Sequence, residues 1–389
     1  MRRARVLLLL PVLPLLALGV ANGITPCHDV HATAEAGAAR ERRVDQLMTR
    51  YQGAVPGASL LIVQHGRLVV GRSYGFADLE AHVPVNLCTD FRLASMTKQF
   101  TAAAILLLAE HGRLSLEDPL GKWLPELPAR TASIPLRLLL VHRSGIIDYE
   151  ELIPDDTSVP LHDADVLRLL AAQDRTYFPP GSAYRYSDSG YALLALIVGR
   201  ASGLDFASYL RTHIFQPLGM SGSVAYEQGV SEVPHRAYGY SLDGGRWQRT
   251  DQSLTSAVLG DGGIYSSVAD LARWDAALYD SRLLSERSRQ LALSPATATD
   301  DPNIQYGFGW RMTGESIWHS GETIGFRNVI VRFPRQRFTV ILLSNRNDPE
   351  PYTTGLAIAA LYLPGADAVR AGTVQVGPDP EARPLPGSR

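Results

Sequence analysis

Ser95 and Lys98 are the residues of this chain with the clearest chemical potential, and they stand three positions apart in Ser95-Met96-Thr97-Lys98. Lysine is rare here, because only Lys98 and Lys122 among the 37 Lys and Arg residues are lysine. Arginine keeps its proton in a protein, whereas a buried lysine can lose it and act as a base. The tetrapeptide therefore predicts a hydroxyl nucleophile beside its base. The alternative is a helix-capping serine with a solvated lysine.

Two later segments carry further groups of this kind. In Tyr186-Ser187-Asp188, a tyrosine hydroxyl near a lysine can share and relay its proton, although a buried tyrosine in a turn is the alternative. In His319-Ser320-Gly321, the glycine permits close approach of the backbone to a substrate, and the other two side chains supply hydrogen bonds. The alternative for this second segment is a strand end that enters a turn.

The predicted elements place Ser95 at the start of a helix. A short extended segment leads into a helix from about Met96 to Glu110, which brings the serine and the lysine onto one face. The unpaired N–H groups and the positive end of this helix would stabilise an oxyanion beside Ser95, and they would disfavour protonated Lys98.

Strand-forming segments lie near both ends of the sequence, with a helical block between them. Strands are predicted in a hairpin over 58–75 with its turn at 65–66, at 317–319, and in a hairpin over 328–343 with its turn at 334–337. Helices are predicted at 41–51, 191–201, 270–278 and 354–363. We therefore predict an α/β (α+β) fold. A mainly antiparallel sheet is built from both chain ends and flanked by helices, and a central all-helical lobe covers about residues 115–300. A cleft between the lobes would hold the site.

The two ends of the sequence are predicted to lie outside the folded domain. Residues 1–21 combine three arginines with an apolar run shorter than the ~20 residues that span a bilayer, which predicts a signal peptide, with an uncleaved anchor as the alternative. A linker is predicted at 22–40, the domain at 41–365, and a disordered tail rich in Pro, Gly and Ala at 366–389. These features predict export, to the periplasm or the medium.

Charge and cysteine content exclude some classes of partner. The net charge of −2 gives no support to nucleic-acid binding or to an electrostatic membrane partner, so membrane contact is expected only with an uncleaved signal. Cys27 and Cys88 either pair or remain separate thiols. Residues 27–31 contain Cys, His and Asp but have no second cluster to complete a metal site, so no metal or cofactor is predicted. The sequence carries no signal for an oligomeric state.

The three segments together, in this order, resemble the penicillin-recognising serine hydrolases over about residues 40–365. That family includes class C β-lactamases, D-alanyl-D-alanine carboxypeptidases, D-aminopeptidases and lactamase-like esterases. Further segments of the sequence also resemble this family, namely Phe91–Ala94, Leu140–Gly145, Pro217–Met220, Gly262–Ser266 and Tyr306–Trp310. The resemblance implies the β-lactamase/transpeptidase-like two-lobed fold.

The resemblance also implies a role for each site residue. Ser95 would be the acylated nucleophile, Lys98 its base and Tyr186 the proton relay to the leaving group. The strand edge of His319, Ser320 and Gly321 would bind substrate. The backbone N–H groups of Ser95 and Glu322 would form the oxyanion hole.

The substrate-binding residues implied by the resemblance are Asp188, His319, Ser320, Gly321 and Glu322, and two of them depart from the family pattern. Asp188 stands where Asn is common, and a carboxylate there would raise the pKa of Lys98 unless it is compensated. His319 stands where class C β-lactamases usually have Lys, which favours the peptidase and esterase branches. We therefore expect an exported serine hydrolase that acts on a small-molecule or peptide substrate, either an ester or a peptide or amide with D-residues. The alternatives are a class C-type β-lactamase and a non-catalytic penicillin-binding-like protein on the same fold.

Overall fold

The computed structural model describes residues 27–31 and 35–363. The predicted signal peptide at 1–21 and the predicted tail at 366–389 lie outside the described residues. The strands are β1 (Ala58–Gln64), β2 (Arg67–Tyr74), β3 (Phe76–Asp78), β4 (Val83–Pro84), β5 (Phe91–Arg92), β6 (Val224–Ala225), β7 (Tyr240–Asp243), β8 (Arg246–Arg249), β9 (Ile264–Ser266), β10 (Thr297–Ala298), β11 (Gln305–Tyr306), β12 (Arg311–Thr313), β13 (Ser316–Thr323), β14 (Phe326–Phe333) and β15 (Phe338–Ser344).

The helices are α1 (Glu35–Leu47), α2 (Lys98–Glu110), α3 (Leu120–Trp123), α4 (Ala129–Ala132), α5 (Leu136–Leu140), α6 (Asp163–Ala171), α7 (Asp188–Ser202), α8 (Phe206–Leu210), α9 (Gln216–Leu218), α10 (Leu259–Gly262), α11 (Val268–Ala277), α12 (Glu286–Ala292) and α13 (Pro351–Tyr362). Within the described ranges no single helix is long and apolar enough to cross a membrane. Asp188–Ser202 and Phe206–Leu218, bent by 74°, meet that length and composition only as a pair.

An eight-stranded antiparallel sheet forms the larger part of the fold, in the order β10-β11-β12-β13-β14-β15-β1-β2. Alternate residues of a strand face opposite sides of a sheet, so Leu60 and Leu61 of β1 enter two different hydrophobic cores. One core lies under α1 and α13, and the other lies toward α2, α7 and α11. The predicted sheet, built from both ends of the chain and flanked by helices, is confirmed.

The block between the two halves of the sheet contains short strands as well as helices. Strands β5, β9 and β6 form a three-stranded sheet, and β7 pairs with β8. The prediction of an all-helical lobe over about residues 115–300 is therefore wrong, because strands β6 to β9 lie within it. These strands have only two to four residues each, too few to show the alternation that marks a strand in a sequence.

Several boundaries also differ from the sequence prediction. The helix expected from residue 41 begins at Glu35, so the last six residues of the predicted linker are helical. The strand expected at 317–319 extends over Ser316–Thr323 because its glycine pairs with β14 like any other strand residue. The helix expected from Met96 begins at Lys98 and is preceded by a 3₁₀ turn over Ala94–Thr97.

The segment before α1 is fixed to the domain rather than separate from it. Cys27 and Cys88 form a disulfide across 61 residues, which settles the two alternatives left open by the sequence. Val30 forms a β-bridge with Gly71 of β2, and His31 contacts the Arg72 guanidinium at 2.7 Å. Closing a loop of this length is worth about 4 kcal/mol in the chain-entropy account of disulfides.

Candidate active site

Ser95 and Lys98 meet at the start of α2, deep between the sheet and the helical lobe. The Lys98 Nζ atom donates a hydrogen bond to Ser95 Oγ at 2.7 Å and a second to the Asp261 carbonyl oxygen at 3.2 Å. Lys98 is fully buried and Ser95 is 3% exposed. The 3₁₀ turn and the first turn of α2 place both side chains on one face, as the spacing predicted.

Asp188 is the residue that accompanies the buried lysine charge. It is the first residue of α7, and its Oδ1 lies 2.5 Å from Lys98 Nζ. Its backbone N–H donates to Asp148 Oδ2 at 2.8 Å, which fixes the start of the helix. A buried cation requires such a partner because an isolated charge is costly to remove from water.

Tyr186 lies over the same lysine. Its ring centroid is 4.8 Å from Lys98 Nζ, and the ring stacks on His142 at 4.2 Å with an interplanar angle of 28°. The Ser187 backbone N–H donates to His142 Nδ1 at 3.2 Å. The His142 ring therefore holds this segment both by stacking on Tyr186 and by accepting a hydrogen bond from the next residue. The predicted tyrosine is therefore brought to the predicted serine–lysine pair.

Strand β13 presents a backbone edge to this group. Strand β12 pairs with Ser316–Trp318 only, and no other described strand covers that side of β13 from His319 onward. A Cβ atom on Gly321 would lie 1.9 Å from the Leu93 carbonyl oxygen, so the strand touches the segment that leads to Ser95. Ser320, the residue before Gly321, is also buried.

Glu322 turns its side chain toward the neighbouring strand. Its Oε2 lies 3.3 Å from Nε of Arg327, the residue opposite it on β14. The contribution of Glu322 to the oxyanion hole is therefore expected from its backbone N–H, as proposed from the sequence, and not from its side chain.

His319 is buried and neutral at ordinary pH. Its Nδ1 lies 2.6 Å from the Ser320 carbonyl oxygen and its Nε2 lies 3.0 Å from the Tyr306 hydroxyl. A carbonyl can only accept, so Nδ1 carries the proton and Nε2 accepts from Tyr306. Burial, followed by the nearby Arg311 cation, holds the pKa of His319 well below its usual 6.5. The edge of β13 thus offers hydrogen bonds without a positive charge from histidine.

Four residues of the site were not identified from the sequence as part of it. His142 and Tyr306 stack on or face Tyr186, Asp261 accepts from Lys98, and Arg311 lies against the Tyr186 ring. Burial, followed by the Lys98 charge, also holds the pKa of His142 well below 6.5. His142 and Tyr306 stand within flanking segments that supported the family resemblance, which was the available signal.

A metal centre finds no support in residues 27–31 and 35–363, where no three His, Cys, Asp or Glu side chains are grouped so as to hold an ion. The Cys27 sulfur is consumed by the disulfide, and His31 contacts Glu41 and Arg72.

A buried hydroxyl bonded to an amine, a tyrosine over that amine and an open strand edge are the groups that covalent acyl transfer requires. Known proteins agree with this arrangement. The Beta-lactamase family profile matches residues 40–363. Penicillin-binding protein 4* of Bacillus subtilis is 32% identical over 324 residues, which cover 78% of this chain and 71% of that protein.

Solved structures share the fold over most of the chain. The octameric penicillin-binding protein homologue of Pyrococcus abyssi superposes with a TM-score of 0.75 at 26% identity, over 84% of this chain and 77% of that one. The penicillin-binding protein of Bacillus halodurans gives 0.72 at 28%, over 82% and 98%. The D-amino acid amidase of Ochrobactrum anthropi, at 24% identity, shares the fold with a TM-score of 0.72 over 87% and 98%. The chain therefore belongs to the beta-lactamase family of penicillin-recognising serine hydrolases.

Proposed function

We propose that this protein hydrolyses an ester, or a peptide or amide with D-residues, through an acyl-serine intermediate on Ser95. The observation that carries the proposal is the 2.7 Å contact between Ser95 Oγ and the buried Lys98 Nζ. The likeness in fold to a D-amino acid amidase supports the D-residue branch.

In the proposed mechanism, Lys98 first loses one proton to water, and its neutral amine then takes the proton of Ser95 as Oγ attacks the substrate carbonyl carbon. The oxyanion is stabilised by the backbone N–H groups of Ser95 and Glu322. Tyr186, which lies over Lys98, passes the proton to the leaving group. A water molecule then attacks the acyl-serine, and hydrolysis returns the proton to the serine oxygen. Asp188 balances the charge of Lys98 in the resting site.

The substrate preference follows from the strand edge. A neutral, buried His319, whose ring nitrogens contact the Ser320 carbonyl and the Tyr306 hydroxyl, stands where class C β-lactamases usually present a lysine cation. This difference favours esters and D-residue amides over efficient cephalosporin turnover. A substrate that bears a carboxylate would have to find its positive charge elsewhere in the site.

Covalent labelling tests the nucleophile and the base together. A fluorophosphonate probe should attach to Ser95, and Ser95→Ala should abolish labelling, whereas Ser133→Ala on the exposed surface should not. Lys98→Arg keeps the charge but cannot supply a base, so the labelling rate should fall by at least ~10²-fold. Labelling of another residue in the folded protein, or a Lys98→Arg protein that labels at the wild-type rate, would contradict the proposal.

A substrate panel then assigns the branch. We expect turnover of a chromogenic short-chain ester, a D-aminoacyl anilide or a D-alanyl-D-alanine peptide, and much slower turnover of a chromogenic cephalosporin. Cephalosporin turnover equal to that of the best substrate would favour the class C alternative instead.

We also propose export to the periplasm or the medium. The N-terminal pattern of arginines followed by an apolar run supports it, and so does the Cys27–Cys88 disulfide, since disulfides persist mainly in oxidising compartments. The proposed partner is a small-molecule or peptide substrate, with membrane contact only through an uncleaved signal. Fractionation of the producing cells, with a reduced cytoplasmic marker protein as the control, checks this localisation.

A further inference from the structure

The tyrosine of the site stands in a segment without regular secondary structure. Residues 183–187 form neither a helix nor a strand, and α7 begins only at Asp188. A side chain that passes a proton must lie within hydrogen-bond reach of the group that receives it, and a misplacement of about 1 Å can slow a reaction by about 10²-fold. Because secondary structure does not fix Tyr186, another part of the molecule has to hold its ring over Lys98.

His142 contacts three consecutive residues of this segment. Its carbonyl oxygen accepts from the Arg185 backbone N–H at 3.0 Å, and its Nδ1 accepts from the Ser187 backbone N–H at 3.2 Å. Between these two hydrogen bonds, the imidazole stacks on the Tyr186 ring at a centroid distance of 4.2 Å. One residue thus fixes the backbone on both sides of the tyrosine as well as one face of its ring.

The backbone of His142 has an unusual conformation. Its φ is 56°, in the left-handed region that glycine, and to a smaller extent asparagine, favours over other residues. It follows the buried helix α5, which ties it to the core. A strained residue persists only where its surroundings hold it, and such residues cluster at functional sites. The conformation therefore indicates a role for His142 beyond filling the core.

The imidazole also pays a cost at its other nitrogen. Because Nδ1 accepts from Ser187, the proton of the neutral ring is on Nε2, and no residue within 27–31 and 35–363 accepts a hydrogen bond from it. The ring stays neutral because burial, followed by the Lys98 charge, holds the pKa of His142 well below 6.5. The contacts that favour histidine here are thus its Nδ1 acceptor and its flat face, and both are directed at the tyrosine segment.

We propose that His142 is the positioning residue of Tyr186, and that reaction depends on it where the leaving group of the substrate needs a proton. The inference rests on the proposed acyl-serine function and names the substrate class and the step that depend on His142. In that step, Tyr186 gives its hydroxyl proton to the leaving oxygen or nitrogen as the bond to the carbonyl carbon breaks. It receives in exchange the proton that Lys98 took from Ser95. A nitrophenolate departs without this proton, whereas an alkoxide or an amine anion does not.

Two esters of the same acyl group, an ethyl ester and a p-nitrophenyl ester, test this dependence. His142→Asn keeps a short acceptor and tolerates the left-handed backbone, but it removes the stacking ring. It should lower kcat/KM for the ethyl ester by about 10- to 100-fold and for the p-nitrophenyl ester by less than about threefold, because only the first leaving group needs a positioned acid.

The chain offers a matched control in His213. Its ring stacks on Tyr209 of α8 at the same centroid distance of 4.2 Å, with an interplanar angle of 14°, outside the site. His213→Asn therefore removes an equal stacking contact without touching Tyr186. We expect it to leave kcat/KM for both esters unchanged.

A double substitution shows whether His142 acts through the tyrosine hydroxyl. Tyr186→Phe removes the relayed proton and keeps the ring. Adding His142→Asn to it should slow the ethyl ester by less than about twofold more, since effects of residues that share one function do not add. Full additivity of the two substitutions would mean that His142 does not act through Tyr186.

Two other results would also overturn the proposal. An equal fall for both esters would mean that His142 supports the site as a whole, and an unchanged rate for the ethyl ester would mean that Tyr186 is positioned without it. Fluoride leaves the fluorophosphonate without a proton, so Ser95 labelling of the wild-type protein stays an independent test. A failure of this inference is therefore distinct from a failure of the proposed function.

A measurement on the wild-type protein covers variants that fold poorly. Nitrogen NMR of the histidine-labelled protein should show His142 with its proton on Nε2 and with Nδ1 accepting from Ser187, over the whole pH range in which the enzyme is active. A proton on Nδ1 in that range would overturn the inference without any substitution, because such a ring cannot accept the hydrogen bond that holds the segment.

Discussion

Lys98 is the residue on which the geometry of the site depends most. It is fully buried, and its ammonium nitrogen contacts a hydroxyl, a carbonyl and the Asp188 carboxylate within 3.2 Å. An amine in this position must be held firmly yet give up its proton for Ser95 to react. The carboxylate works against the second requirement because a neighbouring anion favours the charged amine.

Asp188→Asn should therefore make the enzyme active at lower pH. Asparagine keeps the shape and removes the anion 2.5 Å from Lys98, so the neutral amine becomes easier to reach. The acidic limb of the kcat/KM profile should move down by about one pH unit or more. Initial rates with a neutral ester between pH 5 and 9 measure this, with Asp174→Asn, an exposed site, as the control. A uniform loss of rate with an unmoved acidic limb would mean that Asp188, rather than Lys98, accepts the proton of Ser95.

Short sequence motifs predicted much of the site but not the contacts between segments that lie far apart in the sequence. The pairing of Ser95 with Lys98 follows from helix periodicity, and the approach of Asp188 to Lys98 was anticipated from the tyrosine motif. Asp261 acts through a backbone carbonyl, which every residue possesses, so its side chain gives no signal. The position of Arg311 depends on the register of β12 against β13, which is set by tertiary packing.

At the scale of elements, the site exists because β13 and the 3₁₀ turn that leads into α2 approach each other closely at Gly321. The α2 residues from Lys98 to Leu108 are all buried, as in a helix packed on every side. Strand β13 reaches the segment before α2 at Gly321, where only a hydrogen atom fits against the Leu93 carbonyl.

Gly321→Ala should separate these two elements. Its Cβ would lie 1.9 Å from the Leu93 oxygen, so β13 must shift, and such overpacking costs about 1 to 3 kcal/mol of stability. A displacement near 1 Å should also slow Ser95 labelling by about 10²-fold. Urea unfolding and the labelling rate measure the two effects.

The matched control is Gly199→Ala in α7. Its nearest neighbour, the Leu204 carbonyl oxygen, lies 3.4 Å from the added Cβ, so this helix glycine accepts a methyl group without a clash. We expect unchanged labelling and stability that is equal or higher by about 0.4 to 1 kcal/mol. A Gly321→Ala protein that labels as fast as this control would show that the strand–helix contact does not set the reactivity of Ser95.

The elements that were predicted well are those whose apolar residues recur with a clear periodicity. The long strands alternate between the two cores, and the hairpin turns at 65–66 and 334–337 separate them as expected. Strands β6 to β9 were missed because each has only two to four residues. The pairing of β6 and β9 also depends on segments distant in sequence, whereas β7 and β8 form a local hairpin. The start of α1 at Glu35 was missed because its first turns are rich in small and polar residues with no apolar face.

At the scale of the whole molecule, Asp90 joins the segment before Ser95 to distant loops of the other lobe. Its backbone N–H donates to the His235 carbonyl at 2.8 Å, and its carbonyl accepts from Ala237 at 2.9 Å. Its side chain is fully buried against Gly222. Burial, followed by the Asp270 charge, raises the pKa of Asp90 from 3.8 to about 8. The folded protein therefore keeps a proton there that the unfolded chain has already lost at neutral pH.

This linkage predicts that Asp90→Asn becomes increasingly stabilising as the pH rises. Between about pH 4 and 8 the unfolded wild-type chain binds fewer protons than the folded one at this position, so Asp90 lowers the free energy of unfolding as the pH increases. The buried histidines His142 and His319, with lowered pKa values, act in the opposite sense below about pH 6.5, but they are present in both proteins and cancel in the difference. The stability gained by Asp90→Asn should thus be greater at pH 8 than at pH 5, as measured by urea unfolding, while the exposed Asp156→Asn should show no such trend. A gain of equal size at both pH values would mean that Asp90 is ionised in the folded protein, and that the two lobes meet over a charge rather than over a neutral carboxylic acid.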